Sequence, residues 1–199
     1  MTPQPCPLPS RDRTGLVVID VQEKLVPFLD RKEHFLATIE FLVRTVRLLE
    51  LPVLVTEQYP KGLGPTEAVV REWLTDSPRV EKITFSACGE PAFEEALGRL
   101  GIVEPILCGI EAHICVLQTA LDLLGSGRVV YLASDAVASR HAHDREAGVE
   151  TARRAGAVVT TAETVAFGLF ERAGSEEFKA MQKLVRQKDE ALARTLPLR

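Results

Sequence analysis

"TGLVVIDV", Thr14–Val21, is a short apolar, β-branched run that closes on an acid. It has no polar alternation, so it reads as a strand buried on both faces. Downstream, "RKEHFLATIEFLVRTVRLLEL" sets Phe35, Ile39, Leu42, Val43, Val46 and Leu49 at helical spacing. "PVLVTEQ" is a second buried strand, "KGLGP" a turn cluster, and "TEAVVREWL" a short helix with Thr66 as its expected cap. The pattern then repeats. "RVEKITF", "EPILCGI", "RVVYLASDAV" and "AVVTTAETV" read as strands. "EPAFEEALGRLG", "HICVLQTALDLLGSG", "DREAGVETARRAG", "TVAFGLFERAG" and a segment near "SEEFKAMQKLVRQ" read as helices. Alternating buried strands and helices predict one three-layer α/β/α domain with a six-stranded, mostly parallel sheet. The expected boundaries are a flexible lead over 1–13, the domain over 14–190 and a tail over 191–199.

With 199 residues, 46% of them hydrophobic, the chain suits one domain with a sizeable core. A net charge of −4 argues against a nucleic-acid partner. No apolar run is long enough for a membrane span, and the Pro-rich "MTPQPCPLPSRDRTG" has no secretory core. The four cysteines, Cys6, Cys88, Cys108 and Cys115, include no C-x-x-C pair. Reduced thiols in the cytoplasm are the economical reading. No Gly-rich phosphate loop follows the first strand, and no cofactor is expected.

In open parallel sheets ligands bind at the carboxyl ends of the strands. Asp20 ends "LVVID". On position alone it is either a polar residue leaving the sheet or a carboxylate aimed into a site. Lys82 lies in the third strand and, taken alone, reads as a solvated edge residue. Glu81 beside it faces the opposite way. Cys115 falls at the start of the helix after the fourth strand, where the helix dipole favours a thiolate. Cys108 sits between apolar strand residues and reads as an inert buried thiol. Cys88 is in a loop with no assigned role. Together, an acid, an amine and a thiol at three strand ends form the set that thiol-based acyl transfer needs.

The segments "VVIDVQ" (17–22), "VEKITFSA" (80–87) and "GIEAHICVLQTALD" (109–122) resemble the isochorismatase-like hydrolase superfamily, with "SDAVASR" (134–140) and "GAVVTTAETV" (156–165) adding to the match. The resemblance implies a Rossmann-like strand order 3-2-1-4-5-6 and a catalytic triad of Asp20, Lys82 and Cys115. It also implies a cis peptide between Ile110 and Glu111, and an oxyanion hole made by the backbone N–H groups of Glu111 and Cys115. Nicotinamidases of this superfamily carry an Asp-x-His metal motif after the second strand. Here that segment reads "TEQYPKGLGPT", so no catalytic metal is expected. His141 and His143 read as a polar loop and cap rather than ligands, and His113 as either an entrance residue or a surface one.

Gln22, Gln58, Tyr59 and Phe85 are expected to line a small-molecule pocket, with loop packing as the equal alternative. The expected activity is metal-independent hydrolysis of a C–N bond through a Cys115 thioester. The alternative is a weak or inactive binding scaffold on the same fold. The family resemblance also implies a homo-oligomer, a dimer or tetramer, with "VAFGLF" and "FKAMQKLV" either forming its surface or packing on the sheet.

Overall fold

The structure, a computed structural model, describes residues 8–170 and 172–195. Six strands form one sheet in the order β3-β2-β1-β4-β5-β6, and every neighbouring pair is parallel. They are β1 Thr14–Ile19, β2 Val53–Gln58, β3 Arg79–Lys82, β4 Glu104–Ile110, β5 Tyr131–Ala138 and β6 Val158–Thr160. The sequence-based expectation of a mostly parallel sheet is met, and the sheet is parallel throughout.

Every residue of β1 is buried. Its side chains alternate between two cores. Leu16 and Val18 face one layer, which holds α1 (Lys32–Leu48), α3 (Ala68–Trp73), α7 (Ala162–Phe170) and α8 (Glu176–Thr195). Val17 and Ile19 face the other, with α4 (Pro91–Leu100), α5 (Leu117–Gly125) and α6 (Ala142–Arg154). Burial on both faces is why β1 and β4 are continuous apolar runs. On α1, the helical-period residues Phe35, Ile39, Leu42, Val43 and Val46 all enter the first core. Among the described residues no helix is long and apolar enough to cross a membrane.

The sheet order reverses between β1 and β4, which run side by side from Thr14↔Glu104 to Ile19↔Gly109. Crossovers leave this line in opposite directions and open a crevice at the strand ends. The β4–β5 register shifts between Leu107 and Gly109. Gly109 has φ 121, and a Cβ there would lie 2.0 Å from the Ile19 carbonyl oxygen. Only glycine allows the two central strands to approach this closely. Gly109→Ala is therefore expected to destabilise the fold by about 3 kcal/mol, combining over-packing with backbone strain. Urea unfolding followed by circular dichroism checks it.

Four local expectations change. Thr66 does not cap α3. Its amide and hydroxyl both bond the buried Glu57 carboxylate, at 2.7 and 2.5 Å, and Glu67 holds the cap position without a side-chain bond. The helix after β4 opens with a π turn, Ala112–Val116, before α5. Helix α8 runs on to Thr195, past the expected boundary at 190. Residues 8–13 of the expected flexible lead are tied to the domain. Arg11 Nε donates to the Leu169 carbonyl at 2.7 Å, and the Arg13 carbonyl accepts the N–H groups of Val103 and Glu104 at 2.9 Å. Residues 1–7, with Cys6, and 196–199 lie outside the described residues.

Candidate active site

Asp20 follows β1 directly and has φ 51, a left-handed conformation uncommon for a residue with a side chain. Its amide donates to the Thr56 carbonyl of β2 at 3.1 Å, and the Thr56 hydroxyl donates to Oδ1 at 2.6 Å. The carboxylate is thereby turned across the crevice. Such outliers persist where the surroundings fix them, often at functional sites.

Lys82 is the last residue of β3, in register with Gln58 of β2. The strand alternates, so Arg79 and Glu81 are exposed while Val80 and Lys82 are buried. Lys82 is not the solvated edge residue its strand position alone suggests. Its Nζ lies 2.7 Å from Asp20 Oδ2, with side-chain exposures of 0% and 1% for the pair. Burying both ions is tolerable because further oxygens surround the ammonium. Gln58 Oε1 is at 2.5 Å, the Phe85 carbonyl at 3.0 Å and the Thr84 carbonyl at 3.3 Å.

Cys115 lies in the π turn at the end of β4. Its thiol donates to Gln58 Oε1 at 3.9 Å and sits beside both Asp20 and Lys82. Burial pushes the thiol up to about 12. The Asp20 charge adds to the rise, and Lys82 opposes it. Burial and the Asp20 charge thus work against the thiolate that the sequence leads one to expect at a helix N-terminus. The helix proper begins two residues later, and the desolvated sulfur faces a carboxylate. The balance of these influences favours the neutral thiol beside the Asp20–Lys82 pair.

The peptide bond between Ile110 and Glu111 is cis. The Glu111 carbonyl accepts the N–H groups of Ile114 and Val116 at 3.0 and 3.2 Å, which anchors the π turn. The Glu111 carboxylate in turn accepts the backbone N–H and Nε of Arg140, at 3.1 and 3.0 Å. Helix α6 packs on the same turn through Gly148. A Cβ at that position would lie 2.7 Å from His113 Cα and 2.8 Å from the Ala112 carbonyl oxygen. Gly148→Ala is expected to displace the turn and to cost about 1–3 kcal/mol of stability through over-packing. A thermal melt followed by circular dichroism checks it.

The four expected pocket residues divide. Gln58 lies inside the polar cluster. Gln22 is buried beneath it. Its Nε2 donates to the Gln58 and Gly64 carbonyls at 2.9 and 2.6 Å, and its Oε1 accepts the Gln58 amide at 2.8 Å. It braces the chain after β2. Tyr59 and Phe85, like Ile83, are more than half exposed and lie in the segments that follow β2 and β3. Thr56, Arg140 and Gly148 do positioning work to which their places in the sequence alone do not point.

Cys88 and Cys108 make no hydrogen bond to the cluster among the described residues, and His113 shares the π turn with Cys115. Cys108 is fully buried, and burial alone raises its thiol well above the ordinary range. Cys88 is half-buried and pushed up to about 11 by burial, with its thiol toward the Thr119 carbonyl. His113 Nδ1 lies 3.0 Å from the Ser139 hydroxyl, which ties the π turn to the loop before α6. His143 Nε2 lies 3.3 Å from Asp144. Among the described residues no group of three or more His, Cys, Asp or Glu is arranged to hold a metal ion.

A parallel α/β/α sheet whose reversal point gathers a carboxylate, an ammonium and a thiol defines the class of the protein. The sequence profile of the isochorismatase domain matches residues 14–164. Isochorismatase domain-containing protein 2A of Mus musculus is 37% identical, over 86% of this chain and 82% of its own length. The structure described as MAR1 ribonuclease from Caenorhabditis elegans has a TM-score of 0.84 at 38% identity, over 90% of this chain and 92% of its own. The Escherichia coli YcaC gene product, described as an octameric hydrolase of unknown specificity, shares the fold with a TM-score of 0.86 at 18% identity, over 98% of both chains. The chain belongs to the isochorismatase family.

Proposed function

We propose that this protein is a thiol hydrolase that cleaves the C–N bond of a small amide-type molecule without a metal or cofactor. One observation carries the reading. Asp20, Lys82 and Cys115, far apart in sequence, meet around one sulfur at the β1/β4 reversal.

As sulfur attacks the substrate carbonyl carbon, Asp20 takes the thiol proton. The carbonyl π electrons move onto oxygen, and the N–H groups of Glu111 and Cys115 receive the oxyanion. Loss of the Asp20 charge frees Lys82 to face the sulfur and stabilise negative charge there. Asp20 then gives its proton to the leaving nitrogen. The C–N bond breaks, the amine departs and a thioester remains on Cys115. Water attacks that thioester with Asp20 as base, releasing a carboxylic acid and restoring the thiol.

The exposed side chains of Tyr59, Ile83 and Phe85 suit a flat, partly apolar small molecule. The worm relative is described as a ribonuclease, but a net charge of −4 gives a phosphate backbone little to grip. Free Cys88, Cys108 and Cys115 accord with a reducing compartment, which we take to be the cytoplasm. The octamer described for the bacterial neighbour supports self-association of this chain as well.

Intact-mass spectrometry of the protein with a panel of primary and N-substituted amides tests the reading. The expected result is an acyl mass gain confined to the Cys115 peptide, together with released amine. A panel that gives neither adduct nor product overturns the hydrolase and leaves the binding scaffold.

A further inference from the structure

Lys82 has three N–H bonds and meets four oxygens: Gln58 Oε1 at 2.5 Å, Asp20 Oδ2 at 2.7 Å, and the Phe85 and Thr84 carbonyls at 3.0 and 3.3 Å. These oxygens compete for its donors with the Cys115 sulfur, which Lys82 also reaches. Two of those oxygens belong to groups beside the thiol. One is Asp20, which the mechanism uses as proton acceptor. The other is Gln58, which the mechanism does not use.

Gln58 is held so that its oxygen faces inward. Its backbone N–H and carbonyl are both bonded by the Gln22 side chain, at 2.8 and 2.9 Å. Its Nε2 donates to the Ile83 carbonyl at 2.8 Å. Turning the amide over would set its NH2 group against the Lys82 ammonium, donor against donor. Oε1 is therefore fixed between Lys82 Nζ and Cys115 Sγ, at 2.5 and 3.9 Å. An amide oxygen only accepts. It can take a bond from S–H but offers nothing to a thiolate.

We propose that Gln58 is a positioning residue that disfavours the Cys115 thiolate, its oxygen competing with the sulfur for the Lys82 N–H from a place between the two. This rests on the assignment of Cys115 as nucleophile. The charged groups around the sulfur are few. Asp20 at the end of β1 and Lys82 of β3 adjoin it directly. On its own turn, Glu111 is paired with Arg140 from the loop before α6, and His113 is bonded to Ser139 with Asp144 of α6 at 4.0 Å. Gln58 acts between the two groups that touch the sulfur. The device shields the resting thiol from stray electrophiles and releases it when Asp20 accepts the proton and its grip on Lys82 weakens.

The test is the pH profile of Cys115 alkylation by iodoacetamide, read peptide by peptide by mass spectrometry. In that reaction the thiolate sulfur bonds the methylene carbon and iodide leaves. Wild type, Gln58→Met and Gln58→Glu are compared, with Cys115→Ser as the blank. Gln58→Met removes the oxygen, and its alkaline limb is expected to move down by about one pH unit, with labelling at neutral pH about three- to tenfold faster. Gln58→Glu sets a second negative charge beside the sulfur and is expected to move the limb up. Superimposable profiles, or an upward shift in Gln58→Met, overturn the inference. If Gln58→Met fails to fold, the Gln58→Glu profile alone decides, and no upward shift overturns it. Thioester trapping by wild type is scored separately. An unmoved profile with a trapped thioester sinks the role of Gln58 alone. A moved profile with no thioester sinks the hydrolase and upholds Gln58.

Discussion

Cys115→Ala is expected to lose at least about 1,000-fold in turnover of any amide substrate and to form no acyl adduct. The change removes the only atom in the cluster that can bond the carbonyl carbon. It leaves the Asp20–Lys82 pair and the bond from Thr56 to Asp20 in place, so the fold should survive. Circular dichroism and the thermal melt check that separation. Cys108→Ala and Cys88→Ala are the matched controls. The Cys108 thiol faces the Val17 carbonyl under the sheet at 3.6 Å, and that of Cys88 faces Thr119, so both variants should retain turnover. Rising pH should speed alkylation of wild-type Cys115 continuously through the neutral range, because a thiol pushed up to about 12 gains thiolate with every step upward. Full turnover in Cys115→Ala would remove the nucleophile and the thioester with it.

Lys82→Met is expected to damage stability as well as chemistry. The ammonium and the Asp20 carboxylate are both buried, so losing the cation strands a charge away from water. Breaking such a pair from one side typically costs about 3–5 kcal/mol. For a chain of this length that corresponds to a fall in melting temperature of roughly 6–20 °C. The double variant Asp20→Asn with Lys82→Met should recover much of that loss, since neither charge remains to be desolvated. Calorimetry on the two single variants and the double variant measures the coupling. Equal melting temperatures for Lys82→Met and wild type would mean that the pair is not buried in solution, and the geometry of the cluster would have to be redrawn. Activity should stay lost in the double variant even where stability returns. That distinguishes the chemical role of the pair from its structural one.

Much of this architecture can be read in the chain because of where its strands lie. Val17, Val18 and Ile19 meet apolar side chains on both sides, so β1 is continuously hydrophobic and its partners can be found by the same pattern. Asp20, Lys82 and Cys115 stand out as polar or reactive residues at the ends of such runs. Lys82 alone is misleading. Whether a strand-end lysine points to water or inward depends on what lies beside it, and Gln58 and Asp20 come from other strands. The protonation of Cys115 is illegible for a similar reason. It follows from the balance of burial and Asp20 against Lys82, and no local residue sets any of the three. Gln22 looks like a pocket residue because it stands two positions past Asp20. Its neighbours in space are the backbones of Gln58 and Gly64, which the chain reaches only after a whole helix and strand. The π turn is hidden because "HICVLQTALD" has ordinary helical spacing. What alters its first turn is the packing of α6 at Gly148 and the two bonds to the Glu111 carbonyl.

Arg140 links the turn that bears Cys115 to solvent. Its side chain is half exposed while the Glu111 carboxylate it clasps is nearly covered. Ions in bulk solution screen this outer contact more than they screen the buried Asp20–Lys82 pair. A dicarbonyl reagent that consumes arginine is expected to loosen the same contact from outside. The turn that bears Cys115 thus has a handle at the protein surface.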